Sequence, residues 1–392
     1  MKKKVWGILF LTALALNVLA WKSSSFCDFY AESVFPVWSS ISTRVMSVFP
    51  VWSSISTRVM SVFPFSVGEG MIVLGILFLT AFAAVGFLRL TVKKAWSKKL
   101  FHSFSCTFSW IFLALVWVMT CNCFLLYHSS AFEDRYMEQV RSENYSKAEL
   151  AVLRDYIVVN ANELAEQMER DADGYLIYKG DMNQAAVEAM QQVGTDYGRL
   201  QGYYPQPKEI YFSELLSQTY RMGYYFPFSM EANYNGTMYI VNKPSVICHE
   251  FAHLKGFMQE DEANLIGYLA CINSDDAFFR YSGYMGVLNY VEKEFRASIQ
   301  KSRKEYAKHP QISAQVYADN MFLTQEAWQT VEKKAVVSTK TAKKVSNAAT
   351  TASLKLNGVE EGMKAYDGVV KLLLDYYDGV LYGDVLVTVD AE

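Results

Sequence analysis

The sequence predicts a mainly α-helical protein with a small β-hairpin or sheet (α+β), in which three N-terminal transmembrane helices precede a second, largely helical domain. Three apolar segments lie in the first third of the 392-residue chain. Each is close to the about 20 residues that a helix needs to cross a bilayer. Most of the rest follows helical patterns, and only residues 224–241 are aromatic and β-branched. We therefore expect a membrane region at 1–128 and a separate domain at 129–392.

The predicted spans cover about 5–21, 71–88 and 104–127. The first follows three lysines, a start that also fits a cleavable signal peptide. Trp21 and Lys22 follow the apolar core in place of a small-x-small cleavage site, so we favour an uncleaved membrane anchor. These segments make the lipid bilayer the first expected partner.

The distribution of positive charge predicts the orientation of the spans. Three lysines precede the first span, and five basic residues follow the second one: Arg89, Lys93, Lys94, Lys98 and Lys99. The loop at 22–70 carries only three basic residues over a greater length. We therefore expect a multi-pass protein of the cell membrane whose domain at 129–392 is extracytoplasmic.

The net charge and the cysteine content bear on nucleic-acid binding and on disulfide bonds. The formal net charge is −3, which does not imply a nucleic-acid partner. The six cysteines suggest no disulfide framework. Cys248 and Cys271 are either packed thiols or, in an oxidising compartment, a disulfide, and we favour packed thiols.

The first external loop contains an internal repeat, because fourteen residues at 35–48 recur identically at 49–62. Apolar residues within each copy have helical spacing, which fits two short amphipathic helices on the outer membrane face. The alternative is a duplication in a tolerant loop without functional consequence, and we favour that alternative.

The most informative stretch is Cys-His-Glu-Phe-Ala-His at 248–253. His249 and His253 are four residues apart and share one face of a helix, so both imidazoles can bind one metal ion. Glu250 lies on the neighbouring face, where it can act on a water molecule as the general base. This H-E-x-x-H spacing is typical of zinc peptidases. We therefore expect one Zn²⁺ ion as the cofactor.

Catalytic zinc takes three protein ligands and leaves a fourth position for water. Gly256 is placed to end the first helix, and Glu260 and Glu262 open the next one. Both are candidate third ligands. Glu260 is favoured because it shares a face with Asn264, which can orient a ligand. A metzincin needs a histidine at 259, where this chain has Gln259.

Several other elements follow from capping and turn signals. A capping box at Ser146 and Glu149 predicts a helix to about residue 169. Further helices are expected at the following positions: 182–193, 213–222, 265–271, 275–306 and 366–377. Residues 333–351 predict a solvated helix or a mobile connector. His309 is expected at the surface.

Residues 224–241 predict a β-hairpin that turns at Asn235-Gly236. A strand edge beside the metal helix could hold an extended peptide. We expect Glu231, Asn233 and Asn235 either to line that groove or only to fix the turn. Tyr281 is the expected stabiliser of an oxyanion, although most such tyrosines belong to the core or its rim.

An ordered set of blocks carries a resemblance to a known family. The blocks are Phe-Pro-Phe-Ser at 63–66, Pro-Phe-Ser-Met-Glu-Ala-Asn at 227–233, Cys-His-Glu-Phe-Ala-His at 248–253, Glu-Asp-Glu-Ala-Asn at 260–264, Phe-Arg-Tyr-Ser-Gly-Tyr at 279–284 and the tail at 366–377. Over nearly the whole chain, the sequence resembles an uncharacterised bacterial membrane family with a zinc-peptidase-like domain of unknown function. The metal motif alone is similar to gluzincin-type peptidases. That resemblance implies a zincin-like helical fold with Glu260 as third ligand.

These observations predict a membrane-anchored zinc metallopeptidase that hydrolyses a protein or peptide substrate. One alternative is a non-catalytic membrane receptor or assembly protein that keeps a structural metal site. Another is a zinc-dependent amidase that acts on cell-wall peptide. The sequence gives no oligomeric state.

Overall fold

The structure is a computed structural model that describes residues 2–37, 66–137, 145–357 and 368–381. The chain divides into two compact units. The first comprises residues 1–129 together with 226–231, and the second comprises 130–225 and 232–392. The domain boundary expected at 128/129 assigns residues 226–231 to the C-terminal domain, whereas the structure groups them with the first unit. The predicted helices of the repeat lie outside the described residues from position 38 onward.

The described residues of the first unit include three helices that are long and apolar enough to cross a membrane. They are α1 (Lys2–Lys22), α3 (Val67–Thr91) and α4 (Ala95–Met119). The short α2 (Ser24–Phe29) follows α1, and a π-helical turn at Thr120–Phe124 and α5 (Leu125–Tyr127) extend α4. The predicted mainly α-helical class with a small sheet and three N-terminal apolar helices is confirmed.

Helix α4 is the centre of the first unit. The Trp6 indole donates to the Ser109 carbonyl over 3.0 Å, and the Asn17 amide donates to the Thr120 hydroxyl over 3.0 Å, so α1 runs parallel to α4. Helix α3 returns along α4 through stacked phenylalanines, among them Phe78 with Phe104 and Phe82 with Phe101. The start of α1 and the α3–α4 connection therefore lie at the same end of the unit.

Residues 226–231 belong to the first unit because Glu231 binds the start of α3. Its carboxylate accepts from the backbone N–H of Gly68 over 2.9 Å and from that of Val67 over 3.3 Å, and Ser229 donates to it over 2.7 Å. A carboxylate is stabilised there because free N–H groups and the helix dipole make a helix start positive. Glu231 is thus a helix cap, and the expectation that it lines a peptide groove is wrong.

The sheet has three short strands, β1 (Lys208–Glu209), β2 (Gly223–Phe226) and β3 (Glu231–Tyr234). Their order is β1-β3-β2, and β1 is parallel to β3. The hairpin exists, but its predicted turn is wrong, because β2 and β3 are joined by residues 227–230. Asn235 instead lies buried after β3, where its amide donates to Ser217 over 2.8 Å. Asn233 is fully buried as well, so neither asparagine lines an open groove.

Most helices of the second unit begin and end close to the predicted residues. The capping box of Ser146 and Glu149 starts α7 (Lys147–Gln167), and the predicted helix at 182–193 is confirmed. The helix expected at 275–306 is interrupted, because Gln300 and Lys301 have positive φ angles. The helices are α6 (Phe132–Tyr136), α7 (Lys147–Gln167), α8 (Met182–Val193), α9 (Ser213–Gln218), α10 (Lys243–Leu254), α11 (Glu260–Ile272), α12 (Ala277–Ser298), α13 (Arg303–Tyr306), α14 (Ala314–Asp319), α15 (Gln325–Lys334), α16 (Thr339–Leu356) and α17 (Val369–Tyr377).

The core of the second unit is the packing of α10 on α11, with α12 behind both and α7 against α12. Helices α10 and α11 approach closely at Gly267. A Cβ atom at this glycine would lie 2.9 Å from the Ser245 carbonyl oxygen and 3.2 Å from the backbone nitrogen of His249. Only glycine allows the backbones of the two helices to meet at the metal-motif histidine.

Gly267→Ala tests this close approach. Overpacking costs about 1–3 kcal/mol and offsets the gain of about 1 kcal/mol in helix propensity. We expect the free energy of unfolding to fall by about 1 kcal/mol net, measured by thermal unfolding of the full chain in detergent. Gly198→Ala is the control, because a Cβ atom there meets nothing within 4 Å. Equal stability of Gly267→Ala and wild type would contradict the packing argument.

Candidate metal centre

The centre begins with the regular helix α10, which carries both motif histidines. Pro244 lies in its first turn, where proline is favoured because its missing N–H has no helical partner. His249 and His253 are one turn apart, with ring centroids 4.7 Å apart and Nε2 atoms separated by 3.1 Å. The helix therefore brings the two imidazoles together, as the spacing predicts.

Gly256 ends α10 in the way the sequence predicts. Its φ of 89° is the left-handed conformation that favours glycine. The Gly256 N–H donates to the His253 carbonyl over 2.9 Å, and the Phe257 N–H donates to the Ala252 carbonyl over 3.1 Å. This pair of bonds is a Schellman motif. The motif places the Phe257 carbonyl oxygen 2.8 Å from His253 Nδ1.

The second nitrogen of each imidazole is fixed by a hydrogen bond. His253 Nδ1 donates to the Phe257 carbonyl, and His249 Nδ1 lies 2.9 Å from the Asn264 amide oxygen. With both Nδ1 atoms acting as donors, each neutral ring keeps the lone pair of Nε2 available for a metal ion. Such outer contacts orient metal-binding histidines. Asn264 is the orienting residue that the sequence indicated.

Glu260, the first residue of α11, completes a set of three donor atoms. Its Oε2 atom lies 3.2 Å from His249 Nε2 and 3.6 Å from His253 Nε2. The three donor atoms all lie within 4.8 Å of one another. Two imidazole nitrogens and one carboxylate oxygen match the ligands of a catalytic zinc site. The donor set and the fixed Nδ1 atoms therefore fit one divalent metal ion.

Electrostatics couple the three groups strongly. Burial alone would lower the pKa of His253, but its hydrogen bond to Glu260 and the charge of that carboxylate raise the pKa to about 9. Burial raises the pKa of Glu260, yet hydrogen bonds from both histidines hold it well below its usual range. The carboxylate thus stays ionised beside the imidazoles and provides negative charge for a cation.

Glu250 lies beside this group in an almost closed environment. Its side chain is buried, and burial raises the pKa of the carboxyl group to about 7. The Tyr225 backbone N–H donates to the carboxylate, while Oε2 has no hydrogen-bond partner among the described residues. A carboxyl group with a pKa near neutrality can accept and release a proton.

Strand β2 encloses Glu250 through a glycine that sequence reasoning missed. A Cβ atom at Gly223 would lie 2.7 Å from Glu250 Oε1 and 2.7 Å from the Asn233 carbonyl oxygen. The backbone of β2 can therefore reach Glu250 only at a glycine. The sequence shows only that a glycine precedes an aromatic stretch. That this glycine lies against Glu250 is evident only in the folded structure.

The structure does not bring two other predicted residues into the centre. Glu262 lies outside the donor group, because its Oε1 atom accepts from the Phe132 N–H over 2.7 Å, and burial raises the pKa of its carboxyl group to about 8. Tyr281 is fully buried and donates to Asp319 over 2.7 Å. A buried hydroxyl that already donates to a core carboxylate has no access to a substrate carbonyl.

The cysteines and His309 also have definite places. Cys248 and Cys271 are buried free thiols, as favoured from the sequence, and Cys248 is not in the donor group. His309 is half-buried, and its Nδ1 atom lies 2.8 Å from Asp155. His309 is therefore only partly at the surface, because Asp155 holds its ring.

Asn264→Ala tests the orienting hydrogen bond to His249. Losing an outer partner of a metal-binding histidine weakens metal binding by about 10–100-fold. We expect that loss in zinc titrations of the full chain in detergent. Asn273→Ala, at the exposed end of the same helix, is the matched control. Equal zinc affinity of Asn264→Ala and wild type would show that Asn264 does not orient the histidine.

Comparison with known proteins gives one result. A profile described as "Protein of unknown function (DUF3810)" matches residues 30–374. No curated protein and no solved structure matches the chain. The match covers α3, α4, the sheet and the whole donor group, and it includes most of the chain. The chain therefore belongs to the DUF3810 family, a family of unknown function.

Proposed function

We propose that this protein is a membrane-anchored zinc metallopeptidase. The observation that carries the proposal is the convergence of His249, His253 and Glu260, with Glu250 buried beside them. Peptide hydrolysis needs a polarised carbonyl group, a nucleophilic water molecule and a group that transfers protons. A metal-binding triad next to a carboxyl group of raised pKa can meet all three needs.

His249, His253 and Glu260 would hold the ion. When bound, a zinc ion supplies Lewis acidity and lowers the pKa of water to about 7. The protein's own contribution is rigid orientation of the ligands. Asn264 and the Phe257 carbonyl hold the two rings through Nδ1, so the Nε2 atoms need little rearrangement when an ion binds.

Glu250 would be the proton carrier. Its Oε2 atom has no partner in the described part of the chain, whereas the Tyr225 N–H holds the carboxylate from β2. The carboxylate would take the proton of the attacking water and later give it to the leaving amine nitrogen. Its raised pKa favours both transfers near neutral pH.

Strand β2 would position the substrate. It is one of the two outer strands in the order β1-β3-β2, and its residues Gly223 and Tyr225 contact Glu250. An extended peptide can add to such an edge through backbone hydrogen bonds. This favours an unfolded segment of a protein, or a peptide, as the substrate.

The proposed location of the catalytic unit is extracytoplasmic. The basic residues at 3–4 and 93–99 lie at the same end of the first unit, since α1 is parallel to α4. Positive charge marks the cytoplasmic end of membrane helices. Residues after α4 would then emerge on the other side, where secreted, membrane or envelope polypeptides are the available substrates.

One observation favours a non-catalytic alternative. Glu250 is 4% exposed and His253 is 8% exposed, so the centre is more enclosed than a substrate cleft requires. A structural metal site in a membrane receptor or assembly protein would have this property. Zinc retention without hydrolysis, together with tolerance of Glu250→Gln, would distinguish this alternative from the peptidase.

Glu260→Gln and Glu262→Gln test which of the two candidate glutamates is the third metal ligand. We expect Glu260→Gln to lose most of the bound zinc, because a neutral amide replaces an ionised ligand. Glu262→Gln should keep it, since an amide oxygen can still accept from the Phe132 N–H. The measurement is the zinc content of the purified full chain by mass spectrometry.

The two variants form a matched pair because both glutamates are largely buried in the first turn of α11. His253→Ala serves as a positive control for metal loss. Zinc loss in Glu262→Gln with retention in Glu260→Gln would reverse the ligand assignment. Equal zinc in wild type and His253→Ala would refute the metal centre.

Glu250→Gln tests the proton carrier. We expect zinc content to be retained and peptide hydrolysis to fall by about 100-fold or more, because general acid–base catalysis contributes about 10²–10⁴-fold. The measurement is cleavage of a random peptide library by the full chain, with new termini identified by mass spectrometry. Glu163→Gln, on the exposed side of α7, is the control. Undiminished cleavage by Glu250→Gln would remove this residue from the mechanism.

A further inference from the structure

Helices α15 and α16 form a basic surface on the second unit. Residues 325–356 contain six lysines and only two acidic residues, Glu326 and Glu332. All six lysines are exposed: Lys333, Lys334, Lys340, Lys343, Lys344 and Lys355. The chain as a whole has a net charge of −3, so this concentration of positive charge is a local property.

Exposed aliphatic side chains lie between these lysines. Val336 and Val337, in the connection from α15 to α16, are 97% and 50% exposed, and Val345 on α16 is 64% exposed. Val336 is thus almost fully exposed and Val337 is half exposed, and neither belongs to the buried core. Lys334 and Lys340 flank Val336 and Val337 in the sequence, so these apolar side chains lie among positive charges.

Exposed aromatic and aliphatic residues at the start of α9 and directly before it extend the same surface. Lys334 forms an ion pair with Glu214, and α9 packs against both α15 and α16. The neighbouring Tyr211 and Leu215 are 74% and 60% exposed, and Phe212 is also exposed. These three residues, Val336, Val337 and the lysines of α15 and α16 together constitute the basic apolar surface.

We propose that the basic apolar surface docks on the lipid bilayer by binding anionic phospholipid headgroups. Lysines bind phosphate groups, while tyrosine, phenylalanine and aliphatic side chains enter the interfacial layer. The apolar helices of the first unit would anchor the chain in a bilayer. This tether keeps the basic apolar surface at a high local concentration near lipid headgroups. The proposal is independent of the metal centre.

Charge favours a bilayer over a second copy of this chain. Two copies meeting through the same surface would bring like charges together, which opposes association. The apolar residues are also too few for a stable protein interface, and Val336 and Val337 are flanked by lysines. Both features suit a headgroup layer, which accepts charged and apolar groups side by side.

A photo-crosslinking experiment on the full chain tests the proposal. The photoreactive residue p-benzoylphenylalanine replaces Val336, or Tyr317 as a control, which is 55% exposed on α14. The protein is placed in nanodiscs of phosphatidylglycerol with phosphatidylcholine, or of phosphatidylcholine alone. After illumination, mass spectrometry of the intact protein detects lipid adducts. We expect adducts at position 336 in anionic nanodiscs, fewer in zwitterionic nanodiscs, and few at position 317.

Charge removal provides the second readout. Lys340→Gln with Lys344→Gln should lower the ratio of docked to undocked protein by about fivefold for each charge removed. Lys301→Gln with Lys304→Gln, two exposed lysines elsewhere, should leave the adduct yield unchanged. Absence of lipid adducts at 336, equal adducts at 317, or crosslinks at 336 to another protein chain would each overturn the proposal.

Discussion

The second unit depends on the association of one carboxylate with two imidazoles across the α10–α11 interface. Glu260 and the two histidines are mostly buried, and their donor atoms lie within hydrogen-bonding or ion-pairing distance. Buried charges are costly unless they are paired. The two helices must therefore keep their register, and the same constraint brings three atoms that could hold a metal ion to one point.

Backbone features maintain that register. The positive φ of Gly256 reverses the chain between the helices, and the small size of Gly267 lets α11 reach the backbone of His249. Gly223 lets β2 reach Glu250 in the same manner. Three glycines thus allow a helix end, a helix crossing and a strand to converge. The donor atoms come from side chains, whereas the close approach of the backbones requires glycines, which have no side chain.

Much of this arrangement could be predicted from the sequence, because its signals are local. The spacing of His249 and His253, the helix end at Gly256 and the capping box at Ser146 each involve residues within a few positions of one another. The sequence-based predictions were wrong where contacts between residues far apart in the chain determine the structure. Asn235-Gly236 is no hairpin turn because Asn235 is buried against Ser217, and Tyr281 pairs with Asp319. Gly223 and Gly267 matter only through partners far away in the chain.

X-ray absorption spectroscopy at the zinc edge of the zinc-loaded full chain tests the central claim most directly. The account predicts two imidazole nitrogens at about 2.0–2.1 Å and a carboxylate oxygen at about 2.0–2.2 Å, with no sulfur neighbour. A sulfur neighbour at about 2.3 Å would mean that Cys248 or another thiol binds the metal. That result, or a spectrum without imidazole scattering, would contradict the centre built from His249, His253 and Glu260.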